Sequence, residues 1–173
     1  MTSFPRCAAA IISCLAIFAD VGWAQTDVRL FFIARTKNAN TVCYDARLAK
    51  NGSLDVHGPI HGYWTLWATD STGTSREELN ELEKRMAFGY SVKKCTPTSC
   101  SISLAALRSR TVEVSFHGTT PRAVTTIAGK TSYLKKIFVV SGGGFVVPRV
   151  SSATLYGTDT VSGAEVRETI TPR

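Results

Sequence analysis

The chain has no long run of basic residues, although its overall charge is strongly positive. Its 173 residues include 20 lysines and arginines against 13 acidic residues, a formal net charge of +7. The basic residues come singly or in pairs such as Lys93–Lys94. Nucleic-acid-binding domains usually gather such residues into a stripe or a recognisable module. We therefore predict no nucleic-acid partner and a solvated basic surface that favours anionic partners.

The common catalytic motifs are also missing. Ser141 precedes three glycines, but Val139 stands where a nucleophile elbow requires glycine. Gly129-Lys130-Thr131 matches only the end of a phosphate-binding loop, because Val124 replaces the earlier glycine. The sequence thus predicts no cofactor and identifies no catalytic residue.

The histidines form no recognisable metal-binding motif. His57 and His61 are four residues apart, a spacing that chelates a metal when both lie on one helix. Gly58 and Pro59 between them exclude a regular helix, so the spacing fixes no ligand geometry. We predict no metal site.

The chain begins with a segment typical of a secretory signal peptide. One basic residue, Arg6, precedes an apolar run over residues 7–18, and residues 22–24 place small side chains where a signal peptidase cleaves. The apolar core is too short to anchor the chain in a bilayer roughly 30 Å thick. We predict a signal peptide at residues 1–24, cleavage near Ala24–Gln25, and a single domain over residues 25–173. The mature protein is then periplasmic or secreted, without a transmembrane anchor.

Lipid attachment at Cys14 is the alternative interpretation of this leader. Residues 11–14 fit the pattern after which bacteria cleave and acylate a cysteine. Apolar residues continue over positions 15–18, however, where a lipoprotein has a polar tether. Soluble export is therefore the interpretation that we favour.

Three cysteines remain after the leader. Cys95 and Cys100 enclose a turn that contains Pro97, and exported proteins form disulfides, so this pair is the disulfide candidate. Cys43 lies in a strand-like run, where an unpaired cysteine usually acts as a small buried apolar residue.

Most of the sequence after the leader is typical of short β-strands. Runs rich in aromatic and β-branched residues occur at 28–35, 41–49 and 62–68 and recur between residues 90 and 156. Asn51–Gly52 is a strong signal for a tight turn.

One helix is predicted over about residues 75–88. Thr74 and Ser75 are each followed three residues later by a glutamate, as in a capping box. Leu79, Leu82 and Met86 recur at helical spacing and define a buried face, and Gly89 is expected to end the helix in the left-handed conformation. The fold class is therefore α+β, mostly antiparallel, with a strongly curved sheet or partly closed barrel packed on one central helix.

Several segments together resemble a bacterial exported family known only as a domain of unknown function. They are residues 30–45, Pro59–Ile60, Tyr63–Trp64, and Glu83 with residues 87–90. The resemblance extends over about residues 29–169. It implies a single compact envelope domain and no particular activity, and its pattern does not include the Cys95–Cys100 segment.

Polar residues around the first predicted hairpin are the best candidates for ligand contact. In a curved sheet, Arg35, Tyr44 and Trp64 line one concave mouth and combine a cation, a phenol and a flat apolar face. Such a mouth suits a ligand with a carboxylate or phosphate and a ring, since a guanidinium binds these anions through two hydrogen bonds. Asn40 and Glu83 are the predicted orienting partners.

A purely structural role for these residues is the alternative. Asn38 and Asn40 then form the turn, and Arg35 pairs with Asp45 or Glu83, because turns commonly use asparagine and buried charges are normally paired.

We predict an exported small binding or interaction module of the cell envelope, acting as a monomer on an anionic or ring-containing small ligand or on an envelope protein. The alternative function is an envelope hydrolase or lyase acting on glycan or peptide. Its acid would be Asp45 or Glu83, and its base His57 or His61. An enzyme should bring two of these groups into one cleft. A purely structural partner of a larger complex would instead expose an apolar patch.

Overall fold

The computed structural model describes residues 27–142 and 149–171, so the predicted signal peptide lies outside the described residues. Within these two ranges, eleven strands form one sheet. They are β1 Val28–Arg35, β2 Asn38–Ala46, β3 Ile60–Thr65, β4 Arg76–Glu78, β5 Tyr90–Cys95, β6 Ser99–Leu104, β7 Thr111–His117, β8 Thr120–Ile127, β9 Lys130–Gly142, β10 Arg149–Asp159 and β11 Glu165–Ile170. Helix α1 comprises an α-helical turn, Glu81–Glu83, and a π-helical turn, Lys84–Phe88. A 3₁₀ turn, Ala105–Leu107, follows β6.

The sheet is mostly antiparallel and curls into a half-barrel, as predicted. Nine strands follow the order β4-β3-β2-β1-β9-β8-β7-β6-β5, while β10 pairs with β9 and β11 with β10. Strands β1 and β9 pair in parallel. Strand β9 pairs with β10 along one edge, over residues 132–142. Its other edge is shared, because β8 pairs with residues 130–133 and β1 with residues 136–139. The first strand therefore docks beside a strand that is formed late in the chain.

The curled sheet encloses one apolar core. Alternate residues of β2, Val42, Tyr44 and Ala46, point into it, as the two-residue period of a strand requires. The Tyr44 ring stacks on Phe31 of β1, with ring centroids 4.5 Å apart. Burial of each large apolar side chain stabilises the fold by about 1.5–3 kcal/mol relative to exposure.

The predicted start of the helix is wrong. Residues Arg76–Glu78 form β4, which pairs with Tyr63–Thr65 of β3. The Asp70 carboxylate accepts the backbone N–H groups of Thr74 and Ser75 at 2.9 and 2.7 Å, which fixes these two residues in a turn.

The capping box lies six residues later than the first of the predicted ones. The Asn80 side chain accepts the Glu83 N–H at 2.9 Å, and the Glu83 carboxylate accepts the Asn80 N–H at 3.0 Å. The chemistry that the sequence indicated is present, but with a different pair of residues.

The buried face of the helix also differs from the prediction. Leu79 is buried, but Leu82 is 59% and Met86 60% exposed, and Phe88 enters the core instead. For Met86 and Phe88 the cause is the π-helical turn, in which Gly89 N–H donates to Lys84 O at 2.8 Å, because its wider turn departs from the α-helical spacing on which the prediction depends. Gly89 has extended backbone (φ −74°, ψ 176°) and not the predicted left-handed conformation. It must be glycine because a Cβ there would overlap the Lys84 carbonyl.

The cysteines are placed as the sequence suggested. The sulfur atoms of Cys95 and Cys100 lie at disulfide-bonding distance and close the turn between β5 and β6. Cys43 is buried and unbonded to another cysteine. No helix in the described part of the chain is both long and apolar enough to cross a membrane.

Candidate functional site

The two ends of the curled sheet meet at a seam, which we define as the junction of β3 residues Ile60–Gly62 with Tyr90 of β5. Strand β4 covers the edge of β3 only from Tyr63 onward. The Tyr90 hydroxyl takes the place of a strand partner there, accepting Ile60 N–H at 3.3 Å and donating to Ile60 O at 2.8 Å. Burial raises the pKa of Tyr90, so the hydroxyl keeps the proton that it donates. Helix α1 spans the seam from β4 to β5.

A cavity of about 660 Å³ lies along this seam. The buried side chains of Ile60, Leu79 and Phe88 form its apolar wall. Arg47, which directly follows β2, and Arg85, on α1, are cations at its surface. We call this space the seam cavity.

The acidic residues of the seam cavity are already paired. Glu78 contacts the His61 ring at 2.7 Å, and Glu81 accepts from Lys84 at 2.8 Å. Among the described residues, neither Arg47 nor Arg85 has a carboxylate within ion-pair distance. The cavity therefore has an apolar wall and two uncompensated guanidinium groups.

Three of the predicted contact residues meet on the far side of Phe88. The Arg35 guanidinium lies over the rings of Trp64 and Phe88, 4.9 and 5.3 Å from their centroids. The Trp64 indole N–H donates to Glu83 at 3.1 Å. Burial lowers the pKa of Arg35, and the charge of Glu83 opposes that shift. The Arg35 Nε atom is buried without a hydrogen-bond partner in the described structure.

The other two predicted residues lie elsewhere. Tyr44 is fully buried, donates to Phe88 O at 2.7 Å, and has its pKa raised by burial. Asn40 accepts the Ala68 N–H at 3.0 Å near the start of β2. Tyr44 thus supports Phe88 from within the core, and Asn40 fixes a loop.

The residues of the hydrolase alternative do not form one open cleft. Asp45 is buried and accepts from Arg29 Nε and from the Tyr63 hydroxyl, the latter at 2.6 Å. His61 lies opposite Asp45 across the β2–β3 register, but its ring contacts Glu78.

The other two residues of the hydrolase alternative, His57 and Glu83, do not complete such a cleft. His57 is exposed in the loop before β3. The two oxygens of Glu83 accept from Trp64 and Asn80. The described residues contain no cluster of three or more side chains that could hold a metal ion.

Sequence reasoning missed the residues that give the seam cavity its charge and shape. Lys84 and Arg85 read as an ordinary basic end of a helix, and a single Arg47 between strands carries no signal. Tyr90 appears in the sequence analysis only as a strand residue and as the last residue of the segment 87–90 that carries the family resemblance. Their shared role depends on the closure of the sheet, which brings β3, α1 and β5 together.

Comparison with known proteins identifies a family without identifying an activity. Searches of curated proteins and of solved structures found no match. The family model described as "Domain of unknown function (DUF4833)" matches residues 31–169, a span that contains every residue lining the seam cavity. The predicted relation to a family of unknown function is thereby confirmed, and the chain belongs to the DUF4833 family.

Proposed function

We propose that this protein is a small exported binding module that holds an anionic ligand in the seam cavity, without catalysing a reaction on it. The observation that carries the proposal is the pairing of an apolar wall with two arginines, Arg47 and Arg85, that no described carboxylate neutralises. The ligand has a carboxylate or phosphate and an attached apolar ring.

The dimensions and chemistry of the cavity support this class of ligand. A volume of about 660 Å³ lies within the range of small-molecule sites. A guanidinium binds a carboxylate or phosphate through two parallel hydrogen bonds. Ile60, Leu79 and Phe88 supply the surface against which a ring is removed from water.

In this proposal the predicted residues Arg35, Trp64 and Glu83 lie behind the cavity wall and do not touch the ligand. Arg35 and Trp64 pack on Phe88, which forms part of the cavity wall, and Glu83 ties Trp64 to the first turn of α1. Tyr44 holds the carbonyl of Phe88. These four residues hold Phe88 and the cavity wall in position.

A binding role is favoured over hydrolysis because Asp45, one of the two candidate acids, is buried and held in hydrogen bonds instead of facing a cleft. Its two oxygens accept from Arg29 and Tyr63 in a buried site. Export is supported by the leader sequence and by the Cys95–Cys100 pair, since disulfides persist in oxidising compartments.

Native mass spectrometry of the protein recovered from a periplasmic extract tests the proposal. The full chain is expressed, and its mass gives the N-terminus. A co-purified anion is expected; an empty protein is titrated calorimetrically with phenyl phosphate, which joins a phosphate to a ring. Arg47→Gln and Arg85→Gln should each weaken binding at least about tenfold, as expected for a lost charge-assisted bond.

Arg167→Gln is the matched control, because Arg167 is exposed on β11 and does not line the seam cavity. It should bind as the wild type does. A wild-type protein that carries no anion and does not bind phenyl phosphate would contradict the proposal. Retention outside the periplasm with an uncleaved leader would contradict its export.

A further inference from the structure

A second cavity adjoins the seam cavity and is more strongly basic. Its volume is about 490 Å³, and the two cavities share Lys84, Arg85, Gly89 and Tyr90. Its own lining adds two cations and two hydroxyl groups and contains no acidic residue; these are Lys93, Arg108, Ser91 and Ser103. We call it the basic cavity.

Three of its cations are not neutralised by described residues. Lys93 Nζ donates to the Thr111 hydroxyl at 2.9 Å, and Arg108 Nε donates to Ala105 O at 3.2 Å. Both acceptors are uncharged. Arg85 has no ion pair within the described ranges either, whereas Lys84 is paired with Glu81. Cations gathered around one concavity repel each other and attract an anion.

Exposed apolar side chains stand beside these cations. Leu82 and Met86 lie four residues apart on α1, close to one helical turn, and each is about 60% exposed. Lys84 and Arg85 lie between them in the chain. Exposed apolar residues combined with lysine and arginine are characteristic of helices that rest in a lipid–water interface.

A lipid surface accounts for both features together. A small soluble anion would neutralise the basic cavity but would leave Leu82 and Met86 in water. An anionic phospholipid supplies a phosphate for the cations and acyl chains that cover the two apolar side chains.

We propose that α1 and the basic cavity form a docking surface for a membrane containing anionic phospholipid. The lipid phosphate binds among Arg85, Lys93 and Arg108, and Leu82 and Met86 enter the interface. The two proposed contacts share Arg85, but Lys93 and Arg108 line only the basic cavity, so variants at these two residues test the membrane contact separately from the ligand in the seam cavity.

Vesicle co-sedimentation tests the charged half of this surface. Protein from the periplasmic extract is mixed with vesicles of phosphatidylcholine alone or of equal parts phosphatidylcholine and phosphatidylglycerol. Binding is expected only to the second kind and should weaken as salt increases. The double variant Lys93→Gln/Arg108→Gln should bind about 30-fold more weakly, since each basic residue near an anionic membrane contributes about fivefold. Lys135→Gln/Arg167→Gln, the same change of charge on β9 and β11, should bind as the wild type does.

The apolar half is tested with Met86→Ser, because Met86 is exposed and lines neither cavity. This variant should lose much of its vesicle binding while keeping its binding of phenyl phosphate in the seam cavity. Val161→Ser, at an exposed position after β10, is the control and should leave vesicle binding unchanged. Equal binding to both kinds of vesicle would overturn the proposal. So would a loss of vesicle binding in the control variants as large as the loss in the test variants. Release of the protein from vesicles by millimolar inorganic phosphate at constant ionic strength would also overturn it, because it would identify a site for free phosphate.

Discussion

Tyr63 shows how a single buried side chain organises charges on the β1–β4 part of the sheet. Its hydroxyl donates to Asp45 at 2.6 Å and accepts from Arg29 Nη2 at 2.9 Å. Arg76 lies over its ring, 4.6 Å from the centroid. The cations and the ring shield Asp45 from water, so the carboxylate is buried with both oxygens satisfied.

The ionisation of Tyr63 makes stability depend on pH above pH 10. Burial, followed by the hydrogen bond to Asp45, raises the pKa of Tyr63 from 10.0 to about 12. The unfolded chain therefore releases this proton at lower pH than the folded protein does. Stability is fully present below pH 10 and falls between about pH 10 and 12, by at most about 1.4 kcal/mol per pH unit for this group. Urea unfolding at a series of pH values measures the slope.

Tyr63→Phe is the variant that isolates this effect. It removes the titrating hydroxyl, so its unfolding free energy should fall less steeply over the same pH range. Tyr44 and Tyr90, whose pKa values burial also raises, leave a residual slope in both proteins. Identical slopes for wild type and variant would show that Tyr63 ionises equally easily in the folded and unfolded states.

For individual side chains, the sequence predicted some neighbours correctly and others wrongly. Arg35 was expected near Trp64 and Glu83, and the structure brings the three together. Asp45, one of the two predicted partners of Arg35, instead accepts from Arg29. The irregular register between Arg29 and Phe31 helps set which face of β1 meets Asp45, and no single-residue pattern announces it.

Helix α1 illustrates the competition between local signals and tertiary pairing. The sequence indicated a helix ending at Gly89, and it does end there. The predicted start is wrong, because Thr74 and Ser75 donate their backbone N–H groups to the Asp70 carboxylate and Arg76–Glu78 pair with the edge of β3. The Asp70 turn is a competing local structure, and the pairing with β3 joins separate segments of the chain, which a capping pattern does not report.

Gly89→Ala should disrupt the π-helical turn. The new methyl group would overlap the Lys84 carbonyl, which forces the last turn of α1 and the adjoining wall of both cavities to move. Such overpacking costs about 1–3 kcal/mol of unfolding free energy, and binding of phenyl phosphate should weaken in parallel. Urea unfolding and calorimetry measure the two effects.

Gly58→Ala is the matched control for that substitution. A Cβ at Gly58 has its nearest neighbour, a side-chain atom of Arg47, at 3.8 Å, an ordinary contact. Stability close to that of the wild type is expected. If Gly89→Ala were as stable and bound the probe as well as Gly58→Ala does, the tight approach at Lys84 would have no role in shaping the cavities.

In the whole molecule, the half-barrel is held shut at the seam by contacts from several loops. Tyr90 bonds both backbone groups of Ile60, and Leu54 N–H donates to Pro97 O at 2.8 Å. Pro97 lies in the turn that Cys95 and Cys100 close. The disulfide therefore fixes the loop against which the β2–β3 connection rests.

Removing the disulfide should lower the stability of the whole domain. Cys95→Ser/Cys100→Ser opens a short loop, and the lost constraint on the unfolded chain corresponds to about 2 kcal/mol. Urea unfolding should show the same decrease for the wild type in reductant and for the oxidised double variant. A variant as stable as the oxidised wild type would mean that the turn is fixed by its other contacts alone.

The predominantly antiparallel, strongly curved sheet could be predicted from strand-like runs and turn signals, because both are local. The position of the cavities could not, since it depends on which two edges meet when the sheet closes. Arg47, Arg85 and Tyr90 are far apart in sequence and become neighbours only through the seam.

The shared edge of β9 has a consequence for the order in which the chain folds. Strand β1 pairs with β2 locally, but its partners on β9 are about a hundred residues further along, and closing a loop of that length costs on the order of 4 kcal/mol of chain entropy. During synthesis, which begins at the N-terminus, the β1–β3 meander is therefore complete before β9 exists. The edge of β1 that pairs with β9 stays unpaired until β9 has been synthesised. Folding should be slow for a domain of this size, and shortened chains that end before β9 should aggregate instead of forming a stable half-domain.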